Sequence, residues 1–134
     1  MTLYLPGCVF EFAQLHTRAG VCHLRLRVAR SFWTRFRGLM FAPPLPAGDA
    51  LLIRRCASVH CMFMRYAIDV LYVDDDGRVL QCVGNLRPWR MSVAHRRANI
   101  TKKHSQTHTV ELAAGSIDRY LITPGDRLAW AANV

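Results

Sequence analysis

The chain has no CxxC pair, and its five cysteines are an odd number. The disulfide scaffold of a small secreted domain is denser in cysteine and usually even in count, so reduced thiols are expected here. No apolar run approaches the roughly 18–20 residues of a membrane-spanning helix. The N-terminus lacks the basic and then apolar leader of a secretory signal. Leu5-Pro6-Gly7-Cys8 has too little apolar chain before it for a lipoprotein cleavage site. A cytoplasmic protein is expected. There are no internal repeats, which argues against solenoids and propellers.

Acidic residues are the other scarcity. Nine of them face 18 lysines and arginines, for a formal charge of +9. Between Glu11 and Asp49 there are six arginines and no acid. Between Asp76 and Glu111 lie Arg78, Arg87, Arg90, Arg96, Arg97, Lys102 and Lys103, again with no acid. Such a balance steers anionic partners toward the surface. No nucleic-acid motif accompanies it, so solvated surface arginine is the first reading. Nucleic-acid binding through the basic segment 87–103 is a weaker alternative.

What is abundant is apolar surface, at 51% of residues. That composition supports a packed core, and 134 residues predict one domain over 1–134. Residues 1–20 read as a loosely ordered lead-in. Residues 24–29 alternate strictly, which predicts a strand with Leu24 and Leu26 inward and Arg25 and Arg27 outward. From Ser31 the period changes: Phe32, Trp33, Phe36, Leu39 and Met40 fall at helical spacing. Pro43, Pro44 and Pro46 forbid continuation, so 42–49 is a connection.

Short strands are then predicted at 50–53, 58–64 and 70–73, with a bend at 65–69. Asp75-Asp76-Gly77 is a tight turn returning into a strand at 78–83. The run Asp74 to Asp76 lacks the spaced ligands of a calcium loop and reads as a solvated turn. Pro88 suits an edge or a loop, and 91–108 reads as a basic loop. A strand at 109–112, a brief helix capped by Ser116, a turn at 123–126 and a last strand at 127–130 complete the chain. The expectation is all-β: a compact β-sandwich or partly open β-barrel with two short helices.

The order of several short motifs adds to this. They are Arg37-Gly38-Leu39-Met40-Phe41, then Cys56-x-Ser58-Val59-His60-x-x-Phe63-Met64-Arg65-x-x-Ile68-Asp69-Val70, then Asp76-Gly77-Arg78-Val79. Leu86-x-Pro88-Trp89-Arg90, Glu111-Leu112-x-Ala114-Gly115 and Pro124-Gly125-Asp126 follow. Over about residues 25–130 the chain resembles the bacterial and archaeal family known as domain of unknown function 192. The resemblance implies a compact all-β fold with short helices and assigns no biochemical role. Ala67 and Ala113 stand where relatives often carry proline, and the segment from Trp89 to Glu111 is longer and more basic than usual.

Arg65 and Asp69 are two charges inside the most apolar stretch of the sequence. Such groups pair or face a cleft. With His60, Trp89 and Arg90 they could converge at one end of the barrel and hold an anionic or planar ligand, or a peptide of a partner. The bland alternative pairs Arg65 with Asp69 across the bend, gives Asp69 backbone amides to accept, and leaves His60 satisfied in the core.

Cys56, His60, Cys61 and Cys82 are the candidate metal ligands. Neighbouring strand residues point to opposite faces, so His60 and Cys61 fit one ion poorly, and no metal or cofactor is expected. A nucleophilic Cys56 or Cys61 lacks a partner at a telling spacing. Met62, Phe63, Met64 and Tyr66 read as core packing rather than a cofactor box. The resulting expectation is a non-catalytic module for a small ligand or protein partner. The alternative is a small hydrolase or transferase using His60, Arg65 and Asp69.

Overall fold

The computed structural model describes residues 8–29, 44–60, 65–95 and 105–131. Nine strands form two sheets among them. They are β1 (Cys8–Thr17), β2 (Gly20–Ala29), β3 (Asp49–Ile53), β4 (Ser58–His60), β5 (Ile68–Val73), β6 (Val79–Leu86), β7 (Met91–Val93), β8 (His108–Ala113) and β9 (Arg127–Ala129). The larger sheet has seven strands in the order β6-β5-β8-β3-β2-β1-β9, and β4 pairs with β7 in a separate ribbon. All neighbours are antiparallel except β2 and β3.

The large sheet curls into a half-barrel. Its two edge strands meet at one end, where Arg78 bridges Arg127. The Val79 N–H donates to the Asp126 carbonyl at 2.7 Å, and Leu128 N–H to the Gly77 carbonyl at 2.8 Å. The expected all-β, partly open barrel is the fold observed.

Strand alternation divides the core between the two faces of this sheet. Inside the curl lie Leu15, Leu24, Leu26, Ala50, Leu52, Leu71, Val110, Leu112 and Leu128. Outside it, Leu51, Ile53, Val59, Ile68, Val70 and Tyr72 form a second cluster with Leu45 and Leu86. β3 and β5 are buried on both faces, which explains their unbroken apolar runs. Each such side chain contributes roughly 1.5–3 kcal/mol by leaving water. The β4–β7 ribbon is tied to the second cluster by Tyr72, whose hydroxyl donates to Ser92 Oγ at 2.9 Å.

Several expectations are corrected. The lead-in expected over 1–20 contains a ten-residue strand, Cys8–Thr17, in full register with β2 from Cys8↔Ala29 to Thr17↔Gly20. Its turn places Gly20 at φ +118°, where a β-carbon would be strained. The alternation that marks β1 was blurred because Phe12, on its outward side, is 83% exposed. The loop expected over 91–108 begins with β7 and ends by entering β8.

Arg27 does not point outward into water. It is buried, and its guanidinium donates to Asp49 Oδ2 at 3.1 Å, while Arg25 donates to both oxygens of the same carboxylate. Ser116 does not cap its helix. α1 (Ser116–Tyr120) starts from Gly115 at φ +90°, and the Ser116 hydroxyl donates back to the Ala113 carbonyl. The helix expected from Ser31 lies outside the described residues, as do 61–64 of the strand expected over 58–64.

Candidate functional site

β4 and β7 pair antiparallel with each other as the smaller sheet. Ser58 pairs with Val93, Val59 with Ser92 and His60 with Met91. The turn leading into β7 is closed by the Arg90 N–H donating to the Arg87 carbonyl at 3.1 Å. Pro88 fixes one dihedral of that turn, and Trp89 takes a left-handed conformation at φ +66°. A bulky residue in that region is an outlier, and strain of this kind concentrates at functional positions.

The side chains of β7 divide sharply. Ser92 faces inward to Tyr72, whereas Trp89, Met91 and Val93 are 62%, 69% and 57% exposed. Three large apolar side chains thus stand in water, two on one face of β7 and one in the turn before it. Arg87 and Arg90 beside them are exposed. Two further contacts hold the ribbon in place: the Ala94 N–H donates to the Ala57 carbonyl at 2.7 Å, and the His95 N–H to Gln81 Oε1 at 2.9 Å.

The five residues singled out from the sequence occupy three places. His60, Trp89 and Arg90 belong to the ribbon and its turn. Arg65 is exposed in the bend before β5. Asp69 lies within β5 itself, where the pairing with β6 slips so that Gly84 and Asn85 together face one residue. Asn85 takes φ +52° at this bulge, and its N–H donates to Asp69 Oδ1 at 2.8 Å. The other oxygen, Oδ2, accepts the N–H of Ile117 at 2.9 Å. Asp69 therefore fastens β6 and α1 to β5, and among the described residues no ion pair joins it to Arg65.

An open cleft of about 390 Å³ adjoins that bulge, lined by Asp69, Gly84, Asn85, Gly115, Ile117 and Asp118. Its charged side chains are both acidic, which suits donors better than an anion. Asp69, however, has both oxygens engaged and is only 2% exposed.

Asp74, in the turn expected to be solvated, is buried with its Oδ1 accepting the N–H groups of Asp76 and Arg78, and three other buried polar groups among the described residues also escaped the sequence reading. Glu111 in β8 is buried beside Leu51 and Val70, with Oε2 lacking a hydrogen-bond partner. Burial pushes its carboxyl up to about 8. His108 is buried at the other end of β8. Its Nδ1 accepts the Arg55 N–H at 2.8 Å and its Nε2 lies 2.6 Å from Asp75 Oδ1, an arrangement that places the ring proton on Nε2. Burial works to raise the Asp75 carboxyl, but hydrogen bonds from His108 and the Gln106 N–H, with the charge of Arg54, lower it on balance. The third is the Arg27–Asp49 pair.

The exposed stripe was also missed, although Trp89-x-Met91-x-Val93 carries its own period-two signal. As for the cysteines, burial first, then Asp126 and Asp69, push the Cys82 thiol up to about 11, which disfavours the thiolate a nucleophile or metal needs. Cys56 donates its thiol to the Ser58 carbonyl. Among the described residues no three metal-ligating side chains come together, and no helix is long and apolar enough to cross a membrane.

This fold has known counterparts. A crystal structure of a candidate transcription regulator from Sinorhizobium meliloti 1021 matches with a TM-score of 0.78 at 21% identity, covering 96% of this chain and 99% of that one. A protein of unknown function from Novosphingobium aromaticivorans matches with a TM-score of 0.80 at 20% identity, covering 97% and 91%. At such identities the likeness concerns the fold alone. In sequence, the UPF0127 protein of the archaeon Pyrococcus furiosus is 36% identical over 121 residues, covering 85% of this chain and 93% of its own. The profile of the family DUF192, described as Uncharacterized ACR, matches residues 14–130, beginning inside β1 rather than near residue 25. The chain belongs to the DUF192 family.

Proposed function

We propose that this protein is a non-catalytic binding module, that the β4–β7 ribbon is its docking face, and that its ligand is a segment of a protein partner. The observation that carries this reading is the exposure of Met91 and Val93 on one face of β7, beside an exposed Trp89 in the strained turn that leads into the strand. Isolated apolar residues on a surface mean little, but a contiguous row marks an interaction site. Tryptophan is enriched among the residues that dominate interface energetics. The catalytic alternative is disfavoured, because Asp69 is buried and each of its oxygens already accepts a backbone N–H.

Selection of peptides from a random twelve-residue display library tests this. Peptides enriched on the wild-type protein should lose binding at least about tenfold against Trp89→Ala and Met91→Ser, a change of ~1.4 kcal/mol or more. Enrichment indifferent to both substitutions, or no enrichment, would overturn the reading. A single-stranded dT12 that binds in a salt-sensitive and Trp89-dependent manner, with no peptide selected, would favour nucleic acid instead.

A further inference from the structure

The turn between β3 and β4 is held under strain. Arg55 takes φ +54°, in the left-handed region that residues with a side chain avoid. A buried ring holds that turn: the Arg55 N–H donates to His108 Nδ1 at 2.8 Å. On the other side of the ring, Nε2 lies 2.6 Å from Asp75 Oδ1. Because Nδ1 accepts a bond it carries no proton, and the imidazole in this state is neutral. We propose that His108 is a proton-operated latch on the β4–β7 ribbon, holding the ribbon in place while neutral and releasing it when Nδ1 takes a proton.

The latch reaches the ribbon through a short run of chain. After Arg55, the Cys56 carbonyl accepts from the Thr109 hydroxyl at 2.8 Å, and the Ala57 carbonyl accepts the Ala94 N–H at 2.7 Å. Ser58 then opens β4 and pairs with Val93 of β7. A shift of the turn at Arg55 is therefore carried to both strands. In the switching step, a proton from solvent takes the Nδ1 lone pair that had accepted the Arg55 N–H. Two N–H groups then face each other without an acceptor between them, and an unsatisfied buried donor is costly. The turn relieves this by moving away, which also lets Arg55 leave its left-handed conformation. Arg54 and Arg55 are exposed, so the turn opens toward solvent and away from the core.

The charges round the ring suit a switch. From the β5–β6 turn, Asp75 faces Nε2. Burial works against its charge, but the bonds from His108 and the Gln106 N–H hold its carboxyl below the ordinary value. It therefore stays ionised in mild acid and favours an imidazolium. From the β3–β4 turn, Arg54 and Arg55 oppose a further positive charge. Ser105 and Gln106, which bond to Asp75, bring no charge. Asp74, the next acid, is committed to the N–H groups of Asp76 and Arg78. Glu111 lies on the opposite face of β8 from Val110 and Leu112, and burial keeps it neutral below about 8. One carboxylate thus favours the second proton, while the lost Arg55 bond and two arginines oppose it.

NMR of the 15N-labelled full chain from about pH 7 to about pH 5, where histidine charge ordinarily changes, tests the latch. Ring spectra should show His108 Nδ1 gaining its proton. With the same midpoint, the Arg55 amide should lose its hydrogen-bonded shift, and the amides of 56–60 and 91–94 should move with it. His108→Gln should abolish this concerted change, whereas shifts caused by His60 or His95 would survive in that variant. Asp75→Asn removes the charge that favours the imidazolium and should move the midpoint to lower pH, which decides the matter if His108→Gln does not fold. A ring that protonates while the Arg55 and ribbon amides stay in place overturns the latch. So does a concerted change that persists in His108→Gln, or a midpoint unmoved by Asp75→Asn. The consequence for docking rests on the ribbon reading above. A peptide selected on that face should bind the wild type at least about tenfold more weakly at about pH 5 than at about pH 7, and His108→Gln equally at both. Equal binding by the wild type overturns control of docking by the latch. If no peptide is selected while the concerted shifts appear, the docking face fails and the latch stands.

Discussion

Glu111 occupies the middle of the central strand β8, opposite Leu51 on one side and Val70 on the other. A carboxyl there is held in its neutral form because no partner offsets the loss of hydration. It titrates near 4.5 in an unfolded chain and at about 8 in the fold, so folding binds a proton across that interval. The linkage has a definite sign. The stability tied to this group is fully present below pH 4.5, declines as pH rises from there to 8, and is lost above it. Urea titrations at a series of pH values should show that decline. Glu111→Gln should flatten it and leave the variant more stable at pH 8 by on the order of a few kcal/mol, since each pKa unit corresponds to about 1.4 kcal/mol. Parallel pH profiles in the two proteins would refute this account of Glu111. His108 and Asp69 are buried as well, and each is held by two hydrogen bonds.

Among the elements, β1 is the instructive one. Ala13 and Leu15 are buried inside the curl, while Gln14 and His16 face water. Leu15→Ala should therefore destabilise the protein by about 2–5 kcal/mol, as deletion of a fully buried leucine does, readable from the urea midpoint. A lead-in segment would show almost no change. β2, β3 and β5 were legible because their apolar periodicity is clean and bounded by turn residues such as Asp76-Gly77. β1 was not, since the exposed Phe12 imitates an inward residue. β7 was not, since its outward positions are apolar and its inward Ser92 is polar, the reverse of the ordinary pattern. The same inversion hid the exposed apolar side chains of β7, and it follows from Ser92 being positioned by a hydroxyl on β5 rather than by hydrophobic contact. Arg27 shows a related limit. Its strand periodicity was right, but its burial depends on Asp49, which enters the neighbouring strand from 22 positions further along the chain.

At the scale of the whole molecule, the seam between Gly77–Val79 and Gly125–Leu128 closes one end of the half-barrel, and β8 lies at the centre of the sheet between β3 and β5. Without β8 and β9, the large sheet falls into two separate pieces, β1-β2-β3 and β5-β6. A chain ending at residue 107 should show no cooperative urea transition and rapid cleavage by thermolysin at low concentration. A cooperative transition close to that of the full chain would contradict this view of the seam and of β8.

The arrangement has a consequence in time. As the polypeptide leaves the ribosome, its first hundred residues can form hairpins but cannot unite them, because the strand that joins them has not yet been made. Parings this distant in sequence form slowly. During synthesis, strand edges and apolar faces stay open until β8 and β9 emerge, which makes the nascent chain a natural client for chaperones that shield such surfaces.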